Sequence, residues 1–208
     1  MTERLPNNYF QRYDDARDEQ FYDAPRLVTH IDEKAIAAVT QLYREFFPPN
    51  GTILDLMSSW VSHLPPDVTY HKVVGLGMSQ EELDANPRLD ERIVQNLNTT
   101  PQLPFETASF DGAGICVSVQ YLTQPITVFR ELGRILKADA PLVVTFSNRC
   151  FPTKAVAIWQ SLDDRGHGQL VSRYFQDAGK WRDIQVLDRS SRSRRNDPLY
   201  AVVGRSTG

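Results

Sequence analysis

Polar side chains lie within and just after a short apolar run at residues 53–57, where a ligand could be held. Asp55 comes shortly after Ile53 in that run, and Ser58 and Ser59 stand just beyond it. An aspartate accepts hydrogen bonds from amines and hydroxyls, and serine hydroxyls donate them to a carboxylate. The same residue types also cap turns, so a binding role and a structural role both stay open.

Two further groups of candidate residues lie later in the sequence. Asn96 and Asn98 flank Leu97, and an asparagine side chain both donates and accepts hydrogen bonds, although it also stabilises turns. Met78 offers a polarizable apolar wall and Cys116 a small side chain, and each is otherwise ordinary core material. These residues extend the set of candidate ligand contacts without deciding between the two roles.

No spacing in the sequence predicts a catalytic group. His63 and Tyr121 are conceivable substrate-side residues, but a lone histidine or tyrosine usually has a structural role. No cluster of cysteine and histidine predicts zinc, and Cys116 and Cys150 are expected to be reduced thiols. Catalytic residues therefore stay unassigned, and no metal is expected.

The elements that must position these residues alternate between short apolar runs and helical stretches. Apolar residues at three- and four-residue steps predict a first helix over residues 30–47. Strands are predicted at residues 53–57, 68–78, 92–97, 110–119, 142–146, 184–187 and 199–203. Further helices are predicted at residues 79–86, where Ser79 and Glu82 form a capping box, and at 125–136, 154–162 and 169–178.

This alternation is typical of a parallel sheet covered by helices. The segment between the last two strands is too short for a crossover, so they are expected to run antiparallel at a sheet edge. We therefore predict an α/β, Rossmann-like, doubly wound and mostly parallel sheet of about seven strands, with an antiparallel edge strand and helices on both faces. Residues 30–208 form this domain, and residues 1–29 are predicted to be an N-terminal arm or lid.

In such sheets ligands bind beyond the carboxyl ends of the strands, where the strand order reverses. Four motifs follow one another along residues 51–149. They are TILDL from Thr52, VVGLGMS from Val73, the pair LPF and SFD from Leu103 and Ser109, and FRELGRILK from Phe129. Together they resemble the motifs of the class I S-adenosylmethionine (SAM) methyltransferases, especially the group called methyltransferase type 11.

The resemblance implies SAM as the cofactor and a small or lipophilic methyl acceptor, with the aromatic arm closing over the substrate. It places Asp55 near the cofactor's amino group and Asn96 near the adenine amino group. The cofactor-binding residues that it implies are Asp55, Ser58, Ser59, Gly75, Leu76, Gly77, Met78, Asn96, Leu97, Asn98, Cys116 and Val117.

The sequence departs from the family pattern at two places. Met57, Ser59 and Val61 stand where the family has the glycines that let its backbone lie against SAM, and Gly77 stands where it has a ribose-binding acid. Two functions therefore stay open: a SAM-dependent methyltransferase, weak or inactive, and a non-catalytic binding or interaction module that keeps the fold.

Composition bears on partners and location. A net charge of −3 and a pI near 5.8 give no broad basic field, so nucleic acid is not an expected partner, although the chain has a local basic cluster at Arg189, Arg192, Arg194 and Arg195. No apolar run is long enough for a membrane span, and the polar N-terminus contains no export signal. A cytoplasmic protein with a small-molecule substrate is expected, and the oligomeric state is not indicated.

Overall fold

A computed structural model describes residues 5–193 and 195–208. Residues 1–4 of the predicted arm and Arg194 of the basic cluster therefore lie outside the described residues. The helices are α1 (Asp18–Phe21), α2 (Glu33–Phe46), α3 (Gln80–Ala85), α4 (Pro125–Ile135), α5 (Ala157–Gln160) and α6 (Asp164–Ala178). Within these ranges no helix is both long enough and apolar enough to cross a membrane.

Seven strands form one sheet in the order β3-β2-β1-β4-β5-β7-β6. Their bounds are β1 (Thr52–Ser58), β2 (Lys72–Gly77), β3 (Glu91–Val94), β4 (Gly112–Cys116), β5 (Pro141–Phe146), β6 (Trp181–Asp188) and β7 (Tyr200–Ser206). Strands β1 to β5 pair in parallel, and β7 runs antiparallel to both β5 and β6. The predicted fold class is confirmed, including the antiparallel pair at one edge.

Helices cover both faces of the sheet because each presents an apolar stripe to it. Helix α2 packs on one face through buried residues such as Val39 and Leu42. On the other face α4 and α6 pack through residues such as Phe129 and Phe175. Asp32 caps the start of α2 by accepting from the backbone N–H of Ala35, so the helix begins later than its apolar pattern indicates.

Three predicted strands are shorter in the structure, and the differences shape the ligand end of the sheet. Strand β4 spans Gly112–Cys116 rather than residues 110–119, because the chain forms a 3-10 helix at Val119–Tyr121. Strand β2 begins at Lys72 rather than residue 68, because the preceding residues form turns after Pro65. Strand β3 ends at Val94 rather than residue 97, because a turn begins at Asn96. The carbonyl of Asn96 accepts hydrogen bonds from the amides of Thr99 and Thr100. The three residues from Asn96 therefore lie in a turn beyond the strand. The helix predicted at residues 154–162 is likewise shorter and comprises only α5.

Candidate cofactor site

The segment after β1 is held by a buried polar network. Asp55 Oδ2 accepts hydrogen bonds from the hydroxyls of Ser58 (2.6 Å) and Ser62. Asn86 Nδ2 donates to the Ser62 hydroxyl and to the carbonyl of Ser59, both at 2.9 Å. Burial raises the pKa of Asp55, and the two serine hydrogen bonds oppose that rise. The Asp55 carboxylate is thus committed to fixing the segment where the family has its glycine loop.

A bulge at Met57 sets the shape of this segment. Met57 has a positive φ of 58°, and the pairing of β1 with β2 shifts there, so that Ser58 lies opposite Gly77. A Cβ built on Gly77 would lie 2.2 Å from the backbone oxygen of Ser58. Since a backbone atom of a paired strand cannot yield by that amount, the position at the end of β2 accepts only glycine.

A cavity of about 290 Å³ opens at the carboxyl ends of β1, β2 and β4, where the strand order reverses. Its volume is close to the lower end of the range of about 300–1,000 Å³ for ligand pockets. Ten of the twelve predicted cofactor residues line it: Ser58, Ser59, Leu76, Gly77, Met78, Asn96, Leu97, Asn98, Cys116 and Val117. The structure does not place Asp55 and Gly75 in the lining. Asp55 serves the network described above, and the backbone of Gly75 packs against the side chain of Leu89.

The asparagine turn after β3 is tied to the arm. Asn96 Nδ2 donates to the Glu19 carboxylate at 2.9 Å, and its Oδ1 accepts from the amide of Asn98. Asn98 Nδ2 donates to the Asp18 carboxylate and to the carbonyl of Tyr121, at 2.9 and 3.0 Å. These bonds fix both side chains at the mouth of the cavity.

The end of β4 combines backbone strain with a buried hydroxyl. Val117 has a positive φ of 48°, which is unfavourable for a β-branched residue and costs on the order of 1–3 kcal/mol. The hydroxyl of Ser118 is buried and has no hydrogen-bond partner within the described ranges. Burial raises the pKa of Cys116 to about 12, so its thiol is not a nucleophile at neutral pH. Both Val117 and Ser118 line the cavity.

The N-terminal arm forms the wall opposite the strand ends. Arg12, Asp18, Tyr22 and Arg26 of the arm line the cavity, together with His30, which follows the arm. Of these, only Tyr22 belongs to the aromatic residues from which an arm over the ligand was predicted. The arm is paired to the segment before α5 by backbone hydrogen bonds from Asp14 to Thr153 and from Ala157 to Gln11. The scattered aromatic residues of the arm were the only sequence signal for this placement.

A buried lysine anchors the arm. The Lys154 side chain is 2% exposed, and its amine donates to the carbonyl of Ala16 at 2.7 Å. The same amine lies 3.2 Å from an Asp14 carboxylate oxygen and 3.4 Å from one of Asp18. Asp18 also pairs with Arg12 at 2.6 Å. Of these four charged residues, Arg12, Asp18 and Lys154 line the cavity.

Glu82 is a further cavity residue that the sequence did not assign to the site. The capping box at the start of α3 is half formed, since the amide of Glu82 donates to the Ser79 hydroxyl at 3.4 Å. The carboxylate turns instead to the amide of Arg26 (2.8 Å) and the hydroxyl of Ser59 (2.6 Å). It is buried and lines the cavity.

The remaining candidate side chains divide between the cavity and the rest of the molecule. Tyr121 lines the cavity, and its hydroxyl accepts from the amide of Phe151 at 2.9 Å, whereas His63 is not in the lining. Burial lowers the pKa of His30, which also lines the cavity. Among the described residues, no three His, Cys, Asp or Glu side chains are grouped to hold a metal ion. The arrangement can enclose and orient a polar organic ligand.

Comparisons with known proteins identify a domain match and a shared fold. A family model described as a methyltransferase domain matches residues 57–144. No curated protein sequence matches the chain significantly. Among solved structures, a chain from a complex of a methyltransferase activator and a methyltransferase of Haloferax volcanii has a TM-score of 0.62 at 16% identity, covering 85% of this chain and 91% of that one.

Two further structures share the fold over most of their length. The [4+2]-cyclase SpnF has a TM-score of 0.59 at 16% identity, with 90% of this chain and 91% of that chain covered. A SAM-dependent methyltransferase from Aquifex aeolicus has a TM-score of 0.57 at 15% identity, with 90% and 96% covered. At these identities the likeness is one of fold. The methyltransferase domain match covers residues 57–144, and the solved structures share the fold over most of the chain, so the chain resembles the SAM-dependent methyltransferases in that segment and in its fold.

Proposed function

We propose that this chain binds SAM in the cavity at the ends of β1, β2 and β4 and transfers its methyl group to a small, partly apolar acceptor beneath the arm. The observation that carries the proposal is the cavity itself. It lies where the strand order reverses, and one side consists of the residues that the family resemblance implies for the cofactor. The arm supplies the other side.

The residues present fit the adenosyl part of SAM. Leu76, Met78 and Leu97 give an apolar wall for a flat ring, and the Asn96 turn adds polar groups beside it. The unpaired hydroxyl of Ser118 supports a polar ligand group nearby, because leaving a buried hydroxyl unsatisfied costs about 1–3 kcal/mol. A ligand that accepts or donates one hydrogen bond there recovers that energy.

The acceptor side is aromatic. Phe151 makes edge contacts with Phe21 and His30, each with ring centroids 5.2 Å apart. The rings of Tyr22 and Tyr121 also line the cavity. Edge-to-face ring packing favours flat or apolar partners, which supports a small lipophilic acceptor.

The part that the chain's own residues play is positioning and water exclusion. When bound, SAM supplies a methyl group on a positively charged sulfur that an acceptor atom can displace. The arm and the strand ends would hold that acceptor in line and keep water out, and positioning alone accounts for much of the acceleration in such reactions. No cavity residue is assigned as a general base.

A non-catalytic binding module is the second candidate, and one observation favours it. Met57 and Ser59 occupy glycine positions of the family motif and line the cavity, so their side chains take space beside the methionine part of the cofactor. The fold does not decide between the two functions, since one structure that shares it is a [4+2]-cyclase.

Calorimetry with SAM and S-adenosylhomocysteine (SAH) tests the proposal first. We expect saturable binding of both, with lower affinity than for members that retain the glycine loop. Methyl-labelled SAM is then incubated with the protein and a panel of phenols, amines and carboxylic acids, and labelled product is expected with at least one class. No heat at millimolar SAM from folded protein would refute the proposal, and binding with no labelled product from any class would favour the module.

Ser118→Ala sharpens this test because it should weaken ligand affinity without lowering the stability of the free protein. Loss of an unpaired buried hydroxyl should leave the free protein equally or slightly more stable. The same change should weaken SAH binding by about threefold to tenfold if the hydroxyl contacts the ligand. Ser172→Ala, on α6 and bonded to the carbonyl of Gly168, is the matched control and should leave affinity unchanged. An unchanged affinity in Ser118→Ala would contradict this contact.

A further inference from the structure

The ribose of SAM needs a hydrogen-bond acceptor that the end of β2 cannot provide. In the resembling family the acceptor is an acid at the position of Gly77. Here the Ser58 carbonyl oxygen occupies the space next to Gly77, 2.2 Å from where a Cβ would lie. Because the bulge at Met57 holds that carbonyl in place, no side chain fits at this position. A carboxylate for the ribose must come from another element.

Glu82 is the buried carboxylate nearest in sequence to this position that also lines the cavity. It stands in the first turn of α3, five residues after Gly77, and is 6% exposed. One carboxylate oxygen accepts from the amide of Arg26, and the other accepts from the hydroxyl of Ser59. Both donors are uncharged groups, so they orient the carboxylate without neutralising it. Each of its oxygens keeps a second lone pair.

The charge of Glu82 is not balanced by an ion pair within the described parts of the chain. The arginines and the lysine of the cavity are engaged elsewhere. Arg12 and Lys154 contact Asp18, and Arg149 pairs with Asp197 at 2.8 Å. The guanidinium of Arg26 donates to backbone carbonyls. A buried glutamate is rarely retained without a partner. An uncompensated carboxylate that faces a cavity is suited to a ligand with hydroxyl donors.

We infer that Glu82 is the ribose-binding acid of this chain. Its carboxylate accepts hydrogen bonds from the two ribose hydroxyls of SAM, and it stands five residues after the position that the family uses. The inference rests on the proposed function and deepens it. Because the same carboxylate holds the amide of Arg26, it also links the cofactor to the arm. Binding of the ribose and closure of the arm then share one side chain.

The test compares SAH with its 2′-deoxy analogue by calorimetry on three proteins. The wild type should bind SAH about tenfold more tightly than the analogue, because one hydrogen bond to a charged acceptor is lost. In Glu82→Gln the difference in affinity between SAH and its 2′-deoxy analogue should fall to about twofold or less. Glu81→Gln, an exposed neighbour on the same helix, is the matched control and should keep the wild-type difference.

The comparison of two ligands separates a ribose contact from a purely structural role. If Glu82→Gln weakens both ligands equally, the carboxylate acts only through the arm and the inference is overturned. Glu82→Ala also removes the carboxylate and serves if the glutamine variant does not fold; an unaltered difference in affinity between the two ligands in this variant would overturn the inference as well. Wild-type protein that binds SAH without discriminating the analogue overturns this inference alone, whereas no SAH binding overturns the proposed function.

Discussion

Replacing Lys154 with methionine should release the arm while the sheet stays folded. The amine makes one short hydrogen bond to the Ala16 carbonyl, a longer one to that of Asp14, and two ion contacts. Removing one member of a buried ion pair costs about 3–5 kcal/mol. Because Asp18 keeps Arg12 at 2.6 Å and Asp14 is partly exposed, less charge is left uncompensated. We therefore expect a loss of about 2–3 kcal/mol.

This loss should appear as local opening of the arm, since only its contacts are removed. Hydrogen exchange is the assay. The amides of Asp14 and Ala157, which bond across the arm and the segment before α5, should exchange roughly 30- to 150-fold faster, because each 1.4 kcal/mol is a factor of ten. Amides of β4 and β5 should be unaffected. Lys34→Met, at an exposed position on α2, is the control.

Two results would refute this reasoning. Unchanged exchange of the arm amides in Lys154→Met would show that the buried amine does not anchor the arm. Equal acceleration in the arm and in β4 and β5 would show that the arm unfolds together with the sheet, so that it is part of the global folding unit.

Three further predictions concern the strand ends and the arm. Gly77→Ala should lower the free energy of unfolding by about 1–3 kcal/mol or more in denaturant titrations, since its Cβ meets a backbone oxygen. Gly75→Ala should lower it less, because the added Cβ meets the side chain of Leu89, which can move. Burial raises the pKa of Asp55 above its unfolded value, so its ionisation on raising the pH costs folded-state stability. The stability of Asp55→Asn relative to wild type should therefore increase as the pH rises above about 4, and a difference that does not change with pH would exclude this cost. Deleting residues 1–23 should lower the melting temperature modestly and SAH affinity more strongly, and unchanged affinity in calorimetry would rule out an arm that covers the ligand.

The sheet could be predicted from the sequence because its signals are local. The apolar runs of β1 and β5, the proline that begins α4 and the glycine that ends α6 each act within a few residues. The short segment between the last two strands was sufficient to predict that they run antiparallel. The strand ends that line the cavity follow from the same pattern.

The other half of the site depends on contacts between distant residues, which local patterns do not encode. Lys154 lies 138 residues from Ala16, whose carbonyl it holds. Ser79 and Glu82 have the spacing of a capping box, yet the Glu82 carboxylate bonds an amide 56 residues away instead. The lack of space for a side chain at Gly77 depends on a bulge in the neighbouring strand β1. None of these partners can be identified without the fold.

A crystal structure of the protein with saturating SAH would show where the cofactor binds. We expect the adenine between the end of β2 and the Asn96 turn, the ribose hydroxyls on the Glu82 carboxylate, and the arm closed over the ligand. SAH bound elsewhere on the molecule, or an empty cavity in crystals soaked to saturation, would contradict this expectation.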